Sequence, residues 1–364
     1  MNSTRFKIGV IGAGAIAAQV HIPAWQALSD TEIVGVVDAK LERAQEVAKK
    51  HGIANAFSDY RELLKVPGLD AVSVCSPNAF HAEQSIAALE AGINVLCEKP
   101  MAIKLADAEA MVAAAKRTGK LLMIGMTNRF RPDTEALRQY VADGLLGDVY
   151  YMKAGWLRRS GIPGYGSWFT NKDLAGGGCL LDIGVHFLDL ALWVAGFPKP
   201  VSVTGTTFME FGNRGKALGG WGADIYHQGK QRFDVDDLAT AFIRLDNGAV
   251  LTLEVSWAAY VGDHGENYLK FLGTEGGAEL SSRFGDNFPM RYYSEKNGHQ
   301  YDSTIYVSPS KTPHWTEIAH FLNCVKGLEQ PKVPLAESLI VAKVLDGIYR
   351  SAESGQEVSI KYSD

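Results

Sequence analysis

The sequence predicts an α/β protein in two parts: a parallel sheet wound with helices on both sides, followed by a domain built on a mostly antiparallel sheet. Three observations lead there. Over the first third of the chain, short apolar runs alternate with longer helical patterns. After Arg129 the runs alternate apolar with polar residues and become rich in aromatics. A glycine loop joins the first apolar run to the first helix.

Length and composition set the limits. The chain has 364 residues, and single cores rarely grow beyond about 250–300 residues, so two domains are expected. Apolar side chains make up 46% and charged ones 21%, ordinary values for a globular protein with sizeable cores. With 36 basic against 41 acidic residues, the formal net charge is -5. No basic run is present, so neither nucleic acid nor another polyanion is expected as a partner. No uncharged apolar run of membrane-spanning length is found, so no membrane span is expected. The opening MNSTRFKIGVIGAGAIAAQ is basic and then apolar like a signal peptide, but Gly12 and Gly14 break it and no cleavage site follows. It reads as structure, and the cytoplasm is the expected compartment. Cys75, Cys97, Cys179 and Cys324 are widely spaced, and the first two sit in strand-like runs, so buried free thiols are the plain reading.

RFKIGVIG, EIVGVVD, DAVSVCS, INVLCEK and KLLMIGM are apolar, β-branched runs, as strands buried on both faces require. LERAQEVAKKHG, HAEQSIAALEAG and LADAEAMVAAAKRTG lie between them with helical spacing and terminal glycines. Pro23 comes too early for one long first helix, so a break near His21–Ile22 is expected. In the second part VYYMKAGWL, PVSVTGTTFMEF, LATAFIRL, AVLTLEVSWAA and NYLKFLG read as strands, with Asn247-Gly248 as a hairpin turn. One helix interrupts them, CLLDIGVHFLDLALWVAG, between the glycine run Gly176–Gly178 and Gly196. The tail, HWTEIAHFLNCVKG and AESLIVAKVLDGIYRSAESG, is helical again. Without flexible linker composition near Met126, the expected domains are 1–126 and 127–364, with the C-terminal helices free to pack back on the first.

The first strand runs into Gly12-Ala13-Gly14-Ala15-Ile16-Ala17, a G-x-G-x-x-A dinucleotide fingerprint. Gly12 allows the turn, Gly14 lets backbone approach a pyrophosphate, and the amides from Gly14 through Ala15 and Ile16 open the helix toward the anion. Asp38 ends the second strand 24 residues beyond Gly14. An acid there accepts from ribose hydroxyls and repels a 2′-phosphate, favouring NAD; nearby Lys40 and Arg43 keep NADP as the second choice. Ser76, Asn78 and His81 follow the third run and Glu98-Lys99-Pro100 the fourth, so all face the crevice at the carboxyl ends of the strands as candidate cofactor ligands. Asp182 and His186 are four apart in an apolar helix and share a face. A satisfied core pair or two metal ligands would look the same, but no third ligand has metal-site spacing, and no metal is assigned. Asp189 reads as a structural partner. Asn128 is a further cofactor candidate and Arg129 a substrate candidate beside it, both just past the last strand of the first domain. Trp156 and Arg158 sit in an Arg- and aromatic-rich loop suited to a carbohydrate, where Trp168 and Phe169 read equally well as core or subunit contacts.

Together the GAGAIA loop, His21-Ile22-Pro23-Ala24, Glu98-Lys99-Pro100 and GGGCLLDIGVHFLDL resemble the glucose–fructose oxidoreductase / inositol dehydrogenase / rhizopine catabolism (Gfo/Idh/MocA) family, along essentially the whole chain. The resemblance implies an N-terminal Rossmann domain and a C-terminal α/β domain with an open, mostly antiparallel sheet that assembles homodimers or homotetramers. It implies a catalytic set of Lys99, Asp182 and His186, with a cis Lys99-Pro100 bond. His186 would be the base, Lys99 would hold the substrate oxygen and Asp182 a neighbouring hydroxyl, in an NAD-dependent dehydrogenase of an inositol- or pyranose-type ring. An NAD-retaining glycoside hydrolase or isomerase, and a non-catalytic NAD sensor, are the competing readings.

Overall fold

In a computed structural model of the chain, residues 5–219, 231–262, 265–284, 289–308 and 312–362 are described. The chain divides into two compact units, Met1–Thr127 with Lys311–Leu339, and Asn128–Ser310 with Ile340–Asp364. The helix Leu335–Ser354 carries the chain from one to the other.

Six parallel strands form the sheet of the first unit: β1 (Phe6–Ile11), β2 (Thr31–Val37), β3 (Ala56–Phe57), β4 (Leu69–Val74), β5 (Asn94–Cys97) and β6 (Leu122–Ile124), in the order β3-β2-β1-β4-β5-β6. This is the doubly wound dinucleotide-binding order. Ile8, Val10, Val36, Val72, Val74, Val95 and Leu96 are fully buried, as strands covered on both faces must be. β3 was absent from the sequence reading because two residues carry no periodicity. The break expected at Pro23 takes another form. Ala17–His21 is a π-helical turn in which the Ile22 amide donates to the Ala17 carbonyl, and Ile22–Gln26 continues as α-helix with Pro23 in its first turn. Proline is tolerated there because first-turn amides need no helical partner. The tail helix Pro313–Val325 belongs to this unit, where Phe321 meets Trp25 edge-on at 6.1 Å and Glu317 accepts a 2.6 Å hydrogen bond from Thr127.

The second unit is a nine-stranded sheet of β7 (Val149–Arg158), β8 (Pro200–Phe208), β9 (Leu238–Leu245), β10 (Val250–Ser256), β11 (Gly265–Gly273), β12 (Gly276–Ser281), β13 (Met290–Lys296), β14 (His299–Ile305) and β15 (Val358–Ser359). Its order is β14-β13-β12-β11-β7-β10-β9-β8-β15, and every pair is antiparallel except β7 with β10. The Asn247-Gly248 turn joins β9 to β10 as expected. Along β9 Ala239, Ala241, Ile243 and Leu245 are buried, while Thr240, Phe242 and Arg244 are exposed, so one face of the sheet packs on helices and the other lies open.

Among the described residues one stretch, Lys172–Val194, is long and apolar enough by length and composition to cross a bilayer, although it is not free of charged residues. It is a core helix: 89% of its most apolar window is buried within the protein, and it carries Asp182, His186 and Asp189.

Candidate active site

In a parallel sheet every strand ends on the same edge, so the predicted cofactor residues of the first unit gather along the carboxyl ends of β1, β2, β4 and β5. Gly12 has φ +100°, and a Cβ there would stand 2.6 Å from the Cys75 carbonyl oxygen, so only glycine fits between β1 and the end of β4. A Cβ on Gly14 would meet nothing within 4 Å, which leaves open space above the loop. The Ala13 amide donates to one Asp38 carboxylate oxygen at 3.2 Å and the Lys40 backbone amide donates to the other at 2.9 Å, while the amides of Gly14, Ala15 and Ile16 have no acceptor among the described residues. A bare glycine surface with outward amides and an oriented acid beside it fits the pyrophosphate and ribose of a dinucleotide.

The remaining predicted residues divide. Ser76 donates its hydroxyl to Gln84 at 2.6 Å, and Asn78 is buried in the 3-10 turn Asn78–Phe80. His81 is buried with Nδ1 2.8 Å from the Pro100 carbonyl and Nε2 3.0 Å from that of Ser76, so it ties two loops together from beneath. Burial lowers its pKa against the effect of those carbonyl bonds. The Lys99-Pro100 bond is cis.

Glu98 faces inward. Its carboxylate lies 2.8 Å from His21 Nε2, His21 Nδ1 lies 3.2 Å from Ser73 Oγ, and Trp25 donates to that hydroxyl at 2.9 Å. Burial works to raise the Glu98 carboxyl, but the His21 hydrogen bond, with the electrostatic influence of His21, Lys99 and His314, overrides it and holds the group at about 2. The charged carboxylate thus sits under Lys99, and the Lys99 amide contacts it at 3.3 Å. His314, in the first turn of the tail helix, went unnoticed in the sequence because nothing local links it to the Lys99 loop.

The second unit arranges Asp182 and His186. Leu180–Gly184 forms a π-helical turn that runs into the α-helix Val185–Val194. From Gly177 to Val194 every residue is buried except these two, so one polar face has been opened in an otherwise apolar helix. The glycine run before it has a steric cause: a Cβ would fall 1.9 Å from Tyr349 Oη at Gly177 and 1.8 Å from the Asp236 carbonyl oxygen at Gly178. That close approach lets the buried Asp236 carboxylate accept from the Gly178 amide at 2.8 Å, the Leu180 amide at 2.9 Å and Tyr349 at 2.8 Å, anchoring the start of the turn. Asp182 in turn accepts from the Trp257 indole at 2.8 Å. Arg158 lies over Trp156 at 4.3 Å, and Trp156 meets Phe187 at 5.7 Å; burial lowers the Arg158 pKa while the Asp182 charge opposes it. Asp236 and Trp257 were missed in the sequence, since neither belongs to a motif and both act through chain folded back from far away.

Arg129 corrects an expectation. It does not face a substrate: it is fully buried, with Nε 2.8 Å and Nη2 2.6 Å from the two oxygens of Asp189, and it packs over Trp193 and Phe197. Asp189 is structural, as expected. Asn128, half-buried in the 3-10 turn Thr127–Phe130, gives its carbonyl to Thr134. Trp168 and Phe169 stack on each other at 3.9 Å. Cys75, Cys97 and Cys179 are buried, and burial pushes the Cys97 thiol up to about 12, so it is inert.

A doubly wound unit with an open glycine loop, joined to a mostly antiparallel unit that opens an Asp–His face, defines a dinucleotide-dependent oxidoreductase by fold and chemistry. A family model described as the oxidoreductase family with NAD-binding Rossmann fold matches residues 6–126, and one described as the GFO/IDH/MocA C-terminal domain matches 134–279. The chain belongs to the Gfo/Idh/MocA family and is an NAD-dependent oxidoreductase. It is 36% identical over 360 residues to a D-glucoside 3-dehydrogenase of Escherichia coli (strain K12), covering 99% of each chain. It is 30% identical to a levoglucosan dehydrogenase of Pseudarthrobacter phenanthrenivorans, over 84% of this chain and 80% of that one. An oxidoreductase domain protein from Kribbella flavida shares the fold with a TM-score of 0.85 and 26% identity, over 99% of this chain and all of the other.

Proposed function

We propose that the protein oxidises a secondary hydroxyl of a cyclic sugar, with Lys99, Asp182 and His186 as one catalytic set. The observation that carries this reading is the helix in which Asp182 and His186 alone are half-buried rather than buried between Gly177 and Val194. A core pair would gain nothing from that exposure. The relatives, named for a D-glucoside and for levoglucosan, favour a pyranose ring over an inositol.

Each residue has a task its chemistry suits. The His186 imidazole takes the hydroxyl proton, because imidazole changes charge near neutral pH. Lys99 donates to the same oxygen and stabilises the negative charge developing on it. Asp182, oriented by the Trp257 indole, accepts from a neighbouring hydroxyl and fixes the ring. NAD, when bound, supplies the hydride acceptor. The amides of Gly14–Ile16 and the Asp38 carboxylate are the groups that would hold it, and Asp38 favours NAD over NADP. The open face of the second sheet is the surface we assign to pairing with a second copy of the chain.

The test is a panel of glucosides, free aldoses, anhydrosugars and inositols incubated with NAD or NADP while absorbance of the reduced nicotinamide is followed. Accumulation with a pyranose and NAD is expected. Lys99→Ala and His186→Ala should each lower kcat by about 10²–10⁴-fold while leaving the Kd for NAD nearly unchanged. Comparable turnover in either variant would remove that residue from the set, and sugar consumption without reduced nicotinamide would point to transient redox chemistry instead.

A further inference from the structure

The second unit contains a cavity that no motif announced. It is an open hollow of about 530 Å³ lined by Arg159, Ser160, Phe211, Lys216, Ala217 and Tyr260. Three loops build it, following β7, β8 and β10, and a buried carboxylate fixes the middle one. Asp237 is fully buried and accepts from the amides of Glu210 at 3.0 Å, Phe211 at 2.6 Å and Gly212 at 3.0 Å. The Asp237 carbonyl accepts from Trp257, and the Ala217 carbonyl accepts from Gly161 and Ile162, so the loops hold one another.

Two properties of the lining matter. Phe211 and Tyr260 meet edge to face at 5.0 Å, and Tyr260 stays 81% exposed, a large ring left in solvent beside a hollow. Arg159 and Lys216 supply two positive charges that form no ion pair among the described residues, in a chain whose net charge is -5. The loops that line the cavity also carry, a few residues away, side chains that act on Asp182. Tyr260 stands three residues beyond Trp257, which donates to Asp182, and Arg159 follows Arg158, which the Asp182 charge stabilises.

We infer that this cavity is a subsite for the non-sugar part of the substrate, and that its preferred occupant is an aromatic aglycone carrying a carboxylate. The inference rests on the proposed role of Asp182 in holding a sugar hydroxyl. A ring bonded to the sugar lies against Tyr260 and Phe211, where aromatic faces and edges complement each other. Its anionic group meets Arg159 and Lys216, and arginine pairs with a carboxylate through two parallel hydrogen bonds. The sugar itself stays with Asp182, so specificity for the aglycone is separate from the chemistry.

Methyl, phenyl and 4-carboxyphenyl glucosides distinguish these contributions, each measured for kcat/KM with NAD and, independently of turnover, for Kd by calorimetry on the NAD-loaded protein. Phenyl should exceed methyl, and 4-carboxyphenyl should exceed phenyl by about tenfold in both measurements, the scale of one charge-assisted contact. Arg159→Gln with Lys216→Gln should collapse the carboxyphenyl-to-phenyl ratio toward one, and Tyr260→Ala should collapse the phenyl-to-methyl ratio. All these side chains reach the cavity from loops, so the variants should fold. Equal affinity for all three glucosides, or ratios unmoved by the variants, would overturn the subsite. If no glucoside reduces NAD while the calorimetric preference persists, the dehydrogenase reading fails and the subsite stands.

Discussion

Arg129 shows how far a residue's role depends on what folds around it. In the sequence it follows the last strand of the dinucleotide-binding unit and looks like a substrate ligand. In the folded chain both Asp189 oxygens engage it and no water reaches it. Removing one partner of such a pair leaves a buried charge uncompensated, so Arg129→Met should cost about 3–5 kcal/mol in urea unfolding. Adding Asp189→Leu should recover much of that loss, because two apolar side chains replace the pair with no stranded charge. If the double variant is no more stable than the single one, the cost lies in lost packing on Trp193 and Phe197.

Among the elements, two π-helical turns and two buried carboxylates position the candidate site. Ala17–His21 carries His21 to Glu98 beneath Lys99, and Leu180–Gly184, anchored by Asp236, presents Asp182. The Glu98 pair predicts a pH dependence of stability. Its folded pKa of about 2 lies below the ordinary carboxyl value of 4.5, so the carboxylate's contribution is complete above 4.5 and fades as pH falls through 2. Over that window the unfolding free energy of the wild type should fall more steeply than that of Glu98→Gln, measured by urea titration at successive pH values. Equal slopes would mean that Glu98 gains no net stabilisation from His21.

At the scale of the whole molecule, the nine-stranded sheet uses one face for its own core. The other exposes Phe208 at 44% and Phe242 at 38% on adjacent strands β8 and β9. Apolar side chains on an open sheet face suit a second copy of the same surface, since a two-fold interface is self-complementary. Phe242→Glu should therefore reduce the sedimenting species to a monomer without changing thermal unfolding of the isolated subunit. An unchanged mass would place any assembly elsewhere.

Much of the architecture was legible along the chain. Runs buried on both faces, alternating aromatic runs and a glycine fingerprint are local patterns, and local patterns dictate strand, helix and turn whatever surrounds them. The same holds for Gly12, Asp38, Glu98-Lys99-Pro100 and the Asp182–His186 spacing, each set by a few consecutive residues. Tertiary structure alone decided that Arg129 is buried, that Asp236 anchors the Asp182 turn from 54 residues away, that Trp257 orients Asp182, and that Arg159, Lys216, Phe211 and Tyr260 share one cavity. These pairings join residues far apart in sequence. Side-chain burial and partner choice depend on which surfaces the fold brings together, and no short window of sequence contains that information.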